Sequence, residues 1–253
     1  MRPEFWIADW TRDAWNACRD CNSERFDVAW SPDSTRLLLS RNDTLVEHAL
    51  DGSTPDREVV QESGRVLLPS AWRKDGRILY QSSPDGANFD IKLLEPGGKT
   101  GRILVPVGTG AGPEVSPDGR WLAYSTPSRG PHPWEVIVEA LSGSGSRRQV
   151  SVGGGRNPIW SPDSRTVYYL GDREPDGPAG SVFAVDIAAS SVVVPGKPRQ
   201  VLRYPNYAGC TPLRCYDMSP DGQRFLFGEV VSHPSVTRMD LVLNWTATLP
   251  RGR

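Results

Sequence analysis

Three features of the sequence predict an all-β fold, a β-propeller of four-stranded antiparallel blades. A Ser-Pro-Asp-Gly-like tetrad recurs, an apolar strand follows each copy, and two further strand-like runs complete each period. The tetrads are Ser31-Pro32-Asp33-Ser34, Arg73-Lys74-Asp75-Gly76, Ser116-Pro117-Asp118-Gly119, Ser161-Pro162-Asp163-Ser164 and Ser219-Pro220-Asp221-Gly222. Their Asp positions step by 42, 43, 45 and 58 residues. Four short strands in such a period are the arithmetic of a propeller blade. A β-sandwich is the alternative, and the regular period argues against it.

Each tetrad carries hairpin chemistry. Ser leads the turn, Pro presets φ, Asp bonds the backbone beyond it, and Gly takes the left-handed position. Ser34 and Ser164 stand where Gly is expected and Lys74 where Pro is expected, so those turns should be less favourable. Trp30, Trp72 and Trp160 precede three of the tetrads, Val115 and Met218 the other two. The strands that follow begin at Arg36, Arg77, Arg120, Arg165 and Arg224. Outer strands are expected at 44–50 and 57–60, 89–94 and 102–105, 134–141 and 147–152, and 182–187 and 199–204. A sixth copy, Ser83-Pro84-Asp85-Gly86, is out of register and reads as an ordinary loop. No stretch keeps a helical period over ten residues.

The repeats make residues 25–245 five blades of a single 1–253 propeller domain, with a sixth, incomplete blade as the alternative. Residues 1–24 then supply either the outer strands of a partial blade or a strand that closes the ring. Composition agrees with a folded, turn-rich protein: 38% apolar residues, nine Trp, 25 Gly and 23 Pro among 253 residues. The 29 basic and 30 acidic residues nearly balance, which disfavours nucleic acid or an anionic membrane as the main partner. Aliphatic runs of at most three residues predict no membrane-spanning helix. As written, the start lacks the apolar segment of a secretory signal, so a cytoplasmic location is expected.

The Trp-Ser-Pro-Asp-Gly tetrad, with its basic residue and apolar strand, resembles the WD40-like repeat of TolB-type β-propellers across residues 25–245. The Gly-His and Trp-Asp signatures of true WD40 repeats are missing. The ending, Met239-Asp240-Leu241-Val242-Leu243-Asn244-Trp245, further resembles the last strand of propellers in bacterial multidomain sensor and kinase proteins. The resemblance implies a recognition module, periplasmic if the chain is a fragment of a longer sensor protein. Similar propellers also gate substrates for prolyl-oligopeptidase-type serine peptidases, and five-bladed glycosidases place acids around a channel.

Catalytic motifs are weak. Gly97-Gly98-Lys99-Thr100 lacks the first glycine of a phosphate loop, since position 93 is Leu, and reads as a polar hairpin. Gly108-Thr109-Gly110-Ala111-Gly112 reads as a connection between blades. The chain contains no Gly-x-Ser-x-Gly elbow. His48, His132 and His233 are too far apart in sequence to suggest a ligand pair. No catalytic residue, cofactor or metal is therefore expected, and most Asp are assigned to turns.

Cys18-x-x-Cys21 and Cys210-x4-Cys215 each precede the first strand of a blade. Four thiolates would suit zinc and two short disulfides an oxidising compartment, but the sequence favours unrelated loop and strand-end cysteines. Long loops on the same face carry Arg129, His132, Arg173, Tyr204, Tyr207 and Arg214. These are the binding candidates, because Arg and Tyr are enriched at interface hot spots. The expected partner is a protein or peptide, with a small ligand as the alternative, met by a monomeric propeller.

Overall fold

A computed structural model of the chain describes residues 5–9, 14–18, 21, 23, 27–106, 108, 110–142, 147–171, 181–188, 192–203, 216–228 and 239–242. Every described regular element is a β-strand. Among the described residues, no helix is long and apolar enough to cross a membrane. The chain divides into two compact units, residues 1–109 and 110–253.

The first unit opens with a hairpin of β1 (Trp6–Asp9) and β2 (Ala14–Ala17). Two antiparallel four-stranded sheets follow. One is β3 (Val28–Trp30), β4 (Arg36–Arg41), β5 (Thr44–Ala49) and β6 (Arg57–Gln61). The other is β7 (Val66–Trp72), β8 (Ile78–Ser83), β9 (Asp90–Leu94) and β10 (Arg102–Val105).

Side chains alternate across a sheet, so β4 serves two cores. Leu38 joins Ala29, Leu45 and Val60 against Leu67, Ile78, Tyr80 and Leu94 of the next sheet. Leu37 and Leu39 point the other way, where Val46, Cys21, Phe5 and Cys18 gather. Burial on both faces explains why β4 reads as an unbroken Leu run rather than as an alternating strand.

The second unit repeats this plan. Its first sheet is β11 (Ala111–Val115), β12 (Trp121–Pro127), β13 (Trp134–Ala140) and β14 (Arg148–Gln149). The next holds β15 (Arg156–Trp160), β16 (Thr166–Leu170), β17 (Ser181–Ala188), β18 (Val194–Pro195) and β19 (Arg199–Arg203). Here the outer edge is split: β18 pairs with the end of β17, and β19 with its start. The last sheet has β20 (Tyr216–Met218), β21 (Phe225–Gly228) and β22 (Met239–Val242). Trp121, Val136 and Val138 pack against Trp160, Val167, Tyr169 and Val185. On the other face of the middle sheet, Ile159, Leu170 and Val182 meet Tyr216, Phe225 and Phe227.

The tetrads are hairpin turns in all five sheets, as expected. The N–H of the fourth residue returns to the carbonyl of the first at 2.8–2.9 Å in each. The Asp Oδ1 accepts the N–H two residues on, from Thr35, Arg77, Arg120, Arg165 and Gln223, at 3.0–3.1 Å. Ser adds a bridge that the sequence reading did not foresee. Ser31, Ser116 and Ser161 donate to the Asp at 2.6 Å, and Ser219 donates likewise. The same hydroxyls accept the N–H of Arg36, Trp121, Thr166 and Arg224, the residues that open or precede the next strand. In the Ser-less copy the Arg73 guanidinium takes the Asp75 carboxylate instead, at 3.1 and 3.2 Å.

The fourth position lies in the left-handed region throughout. Gly76, Gly119 and Gly222 have φ of 82°, 79° and 69°, while Ser34 and Ser164 are forced to 59° and 62°. The out-of-register copy is a loop, with Ser83 donating to Asp85 at 2.8 Å between β8 and β9.

Candidate functional site

In the first unit, His48 is placed by the register of β5. It lies opposite Leu37 on the face that the N-terminal segment covers, and it is buried. The residue next to it, Glu47, points to the other face, where Arg36 and Arg57 neutralise it.

His48 Nδ1 lies 2.7 Å from Asp56 Oδ1, and Asp56 also pairs with Arg41. Burial opposes ionisation of Asp56, but hydrogen bonds from His48 and Arg41 outweigh it and hold the carboxyl below its ordinary range. An ionised carboxylate only accepts, so His48 carries a proton on Nδ1. Nε2 then faces Cys18 Sγ at 3.9 Å.

Cys18 follows β2 directly, and its N–H bonds the Phe5 carbonyl at 2.8 Å. The Cys21 N–H returns to the Cys18 carbonyl at 3.3 Å, a turn that brings the two Cα atoms to 5.3 Å with a disulfide between them. This turn differs from the sequence expectation of unrelated cysteines for Cys18 and Cys21. They are partners because the hairpin delivers them together to the face of β4 and β5. Cys210 and Cys215 lie outside the described residues.

A second polar cluster joins the β6–β7 connection to β8 and β9. Glu62 accepts from Tyr80 at 2.7 Å and Ser82 at 2.5 Å, and pairs with Lys92 at 2.7 Å. Arg65 reaches Ser82 and Asp90, both at 2.6 Å. Two carboxylates and two cations close on each other, an arrangement that fixes the sheet. Burial opposes ionisation of Glu62, and its donors still hold it below the usual range.

Of the six binding candidates, Arg129 and His132 stand together, both exposed, on the connection from β12 to β13. That loop is braced by Ser128, which donates to Glu135 at 2.7 Å and accepts from the Gly130 N–H at 2.9 Å. Arg173, Tyr204, Tyr207 and Arg214 lie outside the described residues.

Sequence reasoning passed over two other features. His48 and Asp56 are one, because a contact 30 residues long with Cys18 depends on sheet register. The other is a pair of exposed aromatics: Trp6 and Trp15 are 56% and 48% exposed on the β1–β2 hairpin. Trp6 pairs with Ala17 and Ala8 with Trp15, so both indoles occupy one face of that ribbon.

No protein-family model matches the sequence, and no curated protein matches it. Solved structures do resemble the fold. TolB from Acinetobacter baumannii aligns over 90% of this chain and 54% of its own, with a TM-score of 0.70 and 18% identity. A putative TolB from Agrobacterium tumefaciens aligns over 91% and 78%, with a TM-score of 0.66 and 19% identity. An oligogalacturonate lyase in complex with manganese aligns over 90% and 65%, with a TM-score of 0.62 and 13% identity. This chain thus spans about half the length of the first of these. Its all-β sheets have the fold of a TolB-like β-propeller.

Proposed function

We propose that the chain is a non-catalytic recognition module that binds a protein or peptide partner through exposed aromatic and basic side chains. The observation that carries this reading is the Trp6 and Trp15 pair, two large indoles on one face of a short hairpin. Exposed indoles on one face are the chemistry of interface anchors. Arg129 and His132 add a second exposed group of the kind that contacts partners.

The carboxylates support the same reading. Asp33, Asp163 and Asp221 are held below the ordinary range, first by their Ser hydroxyls. Asp75 and Asp118 are also low, because bonds from Arg73, Ser116 and Arg120 outweigh their burial. Acids kept ionised in turns make poor proton donors near neutral pH. Glu139 is different: burial pushes it up, while Arg147 and Tyr124 oppose the shift. An acid catalyst would be built on such a residue, so Glu139 is the control.

The test is a peptide-display selection paired with a substrate panel of peptides, glycosides, lactones and oligogalacturonates, the last with and without manganese. The last two classes enter because some neighbours with this fold are enzymes. Selected peptides are expected to lose at least about tenfold in affinity against Trp6→Ser/Trp15→Ser, with the melting temperature kept. Turnover of any substrate that disappears in Glu139→Gln would overturn the proposal.

A further inference from the structure

We infer that Cys18, Cys21 and His48 form a site for a zinc-like divalent cation once the Cys18–Cys21 disulfide is reduced. The oxidation state of the pair then decides whether the cation is held. The inference is independent of the recognition reading, since it rests on other residues, Cys18, Cys21 and His48.

Three observations carry it. The two sulfurs and a ring nitrogen of His48 all lie within 4.8 Å of one another. Zinc takes sulfur at about 2.3 Å and imidazole nitrogen at about 2.0–2.1 Å in a tetrahedron, so adjacent ligand atoms sit about 3.5–3.8 Å apart. Cys18 Sγ and His48 Nε2, at 3.9 Å, already stand close to that spacing.

The second observation is the outer support. Asp56 accepts the Nδ1 proton of His48, which fixes the ring with Nε2 facing the sulfur. A carboxylate behind a histidine is the usual support of a metal-bound imidazole.

The third is the scaffold. The turn is also held by a backbone bond from the Cys21 N–H to the Cys18 carbonyl at 3.3 Å, independent of the sulfurs, and the two Cα atoms stand 5.3 Å apart. Leu37, Leu39 and Val46 wall the site on the sheet side. Cys21 and His48 are buried while Cys18 is half-exposed, which gives the cation a route in. Three protein ligands leave a fourth position for water.

The chemistry balances with a phosphine as reductant. The phosphine gives two electrons to the disulfide and becomes the phosphine oxide, and water supplies the oxygen and the two protons of the new thiols. On binding, each thiol releases its proton to solvent and the cation gains two thiolates and one neutral imidazole.

The test is a cobalt(II) titration of the full chain, oxidised and phosphine-reduced, followed by competition with zinc. A second set uses a Cys210→Ser/Cys215→Ser background, so that thiolate signals come from Cys18 and Cys21. The reduced protein is expected to bind one equivalent with a thiolate-to-cobalt charge-transfer band that zinc displaces, and the oxidised protein to show none. Cys18→Ser abolishes the band. Asp56→Asn, which leaves all three ligands in place, weakens affinity by about 10–100-fold with the melting temperature of the metal-free chain kept. The inference is overturned if the reduced chain binds no better than Cys18→Ser. It is equally overturned if Asp56→Asn and His48→Ala bind like the wild type, or if binding vanishes in the Cys210→Ser/Cys215→Ser background.

Discussion

Ser34→Gly is expected to stabilise the protein by about 1 kcal/mol. Ser34 closes the first tetrad turn with φ of 59°, a region that costs a side-chain-bearing residue about 1–2 kcal/mol. Glycine removes that cost but returns about 0.4–1 kcal/mol through its freer unfolded chain. Ser34 is exposed, and the N–H that closes the turn onto the Ser31 carbonyl survives the change. At about 2–4 °C per kcal/mol for a chain of this size, the melting temperature rises by a few degrees in differential scanning calorimetry.

Ser164→Gly is the internal control. Its φ of 62° carries the same cost, but Ser164 Oγ accepts the Asp118 N–H at 3.0 Å. Losing that bond costs about 0.5–1.5 kcal/mol and cancels the gain. A neutral or destabilising Ser34→Gly, or a larger gain from Ser164→Gly, would refute the reasoning.

The other predictions concern close packing, acid stability and a buried hydroxyl. A Cβ at Gly155 would lie 2.6 Å from the Tyr169 ring, so Gly155→Ala is expected to cost about 1–3 kcal/mol in urea titrations; an unchanged midpoint would contradict that packing. Asp33 is lowered to about 2, mainly by the Ser31 hydroxyl. Its folded value lies below its unfolded one, so its contribution is present above about pH 4 and fades as pH falls through the folded value. In Ser31→Ala the Asp33 titration, followed by carboxyl NMR shifts, moves up toward the ordinary range. Tyr216 Oη donates to the Asn157 carbonyl at 2.5 Å. Tyr216→Phe therefore loses about 0.5–1.5 kcal/mol, read from the shift of the urea midpoint.

Much of the architecture was legible because the tetrad constrains backbone and side chain at once. Proline, Asp and a left-handed fourth residue define a turn in any context, and Arg102–Val105 appears as β10 with the bounds the sequence suggests. Edges were less legible. The run expected over 147–152 pairs at Arg148–Gln149 alone. Likewise β18 is two residues long, held by Val194 and Pro195 pairing with the end of β17. Outer strands have one neighbour, so their extent depends on local pairing rather than on a strong apolar pattern.

The metal-ligand cluster was illegible for a different reason. Cys18, His48 and Asp56 carry no spacing rule, and only the register of β4 with β5 and the path of the hairpin bring them together. A His two residues after Val46 on the same face of β5, downstream of a Cys-x-x-Cys, was the signal available.

Cross-strand NOEs between backbone protons test the central claim most directly, that each tetrad joins the first two strands of a blade. The account predicts five three-strand rows: Ala29–Leu38–Glu47, Trp72–Ile78–Leu94, Val115–Leu122–Glu139, Trp160–Val167–Val185 and Met218–Phe225–Val242. Rows that instead join strands of different repeats, as in a two-layer sandwich, or helical sequential NOEs through these segments, would contradict it.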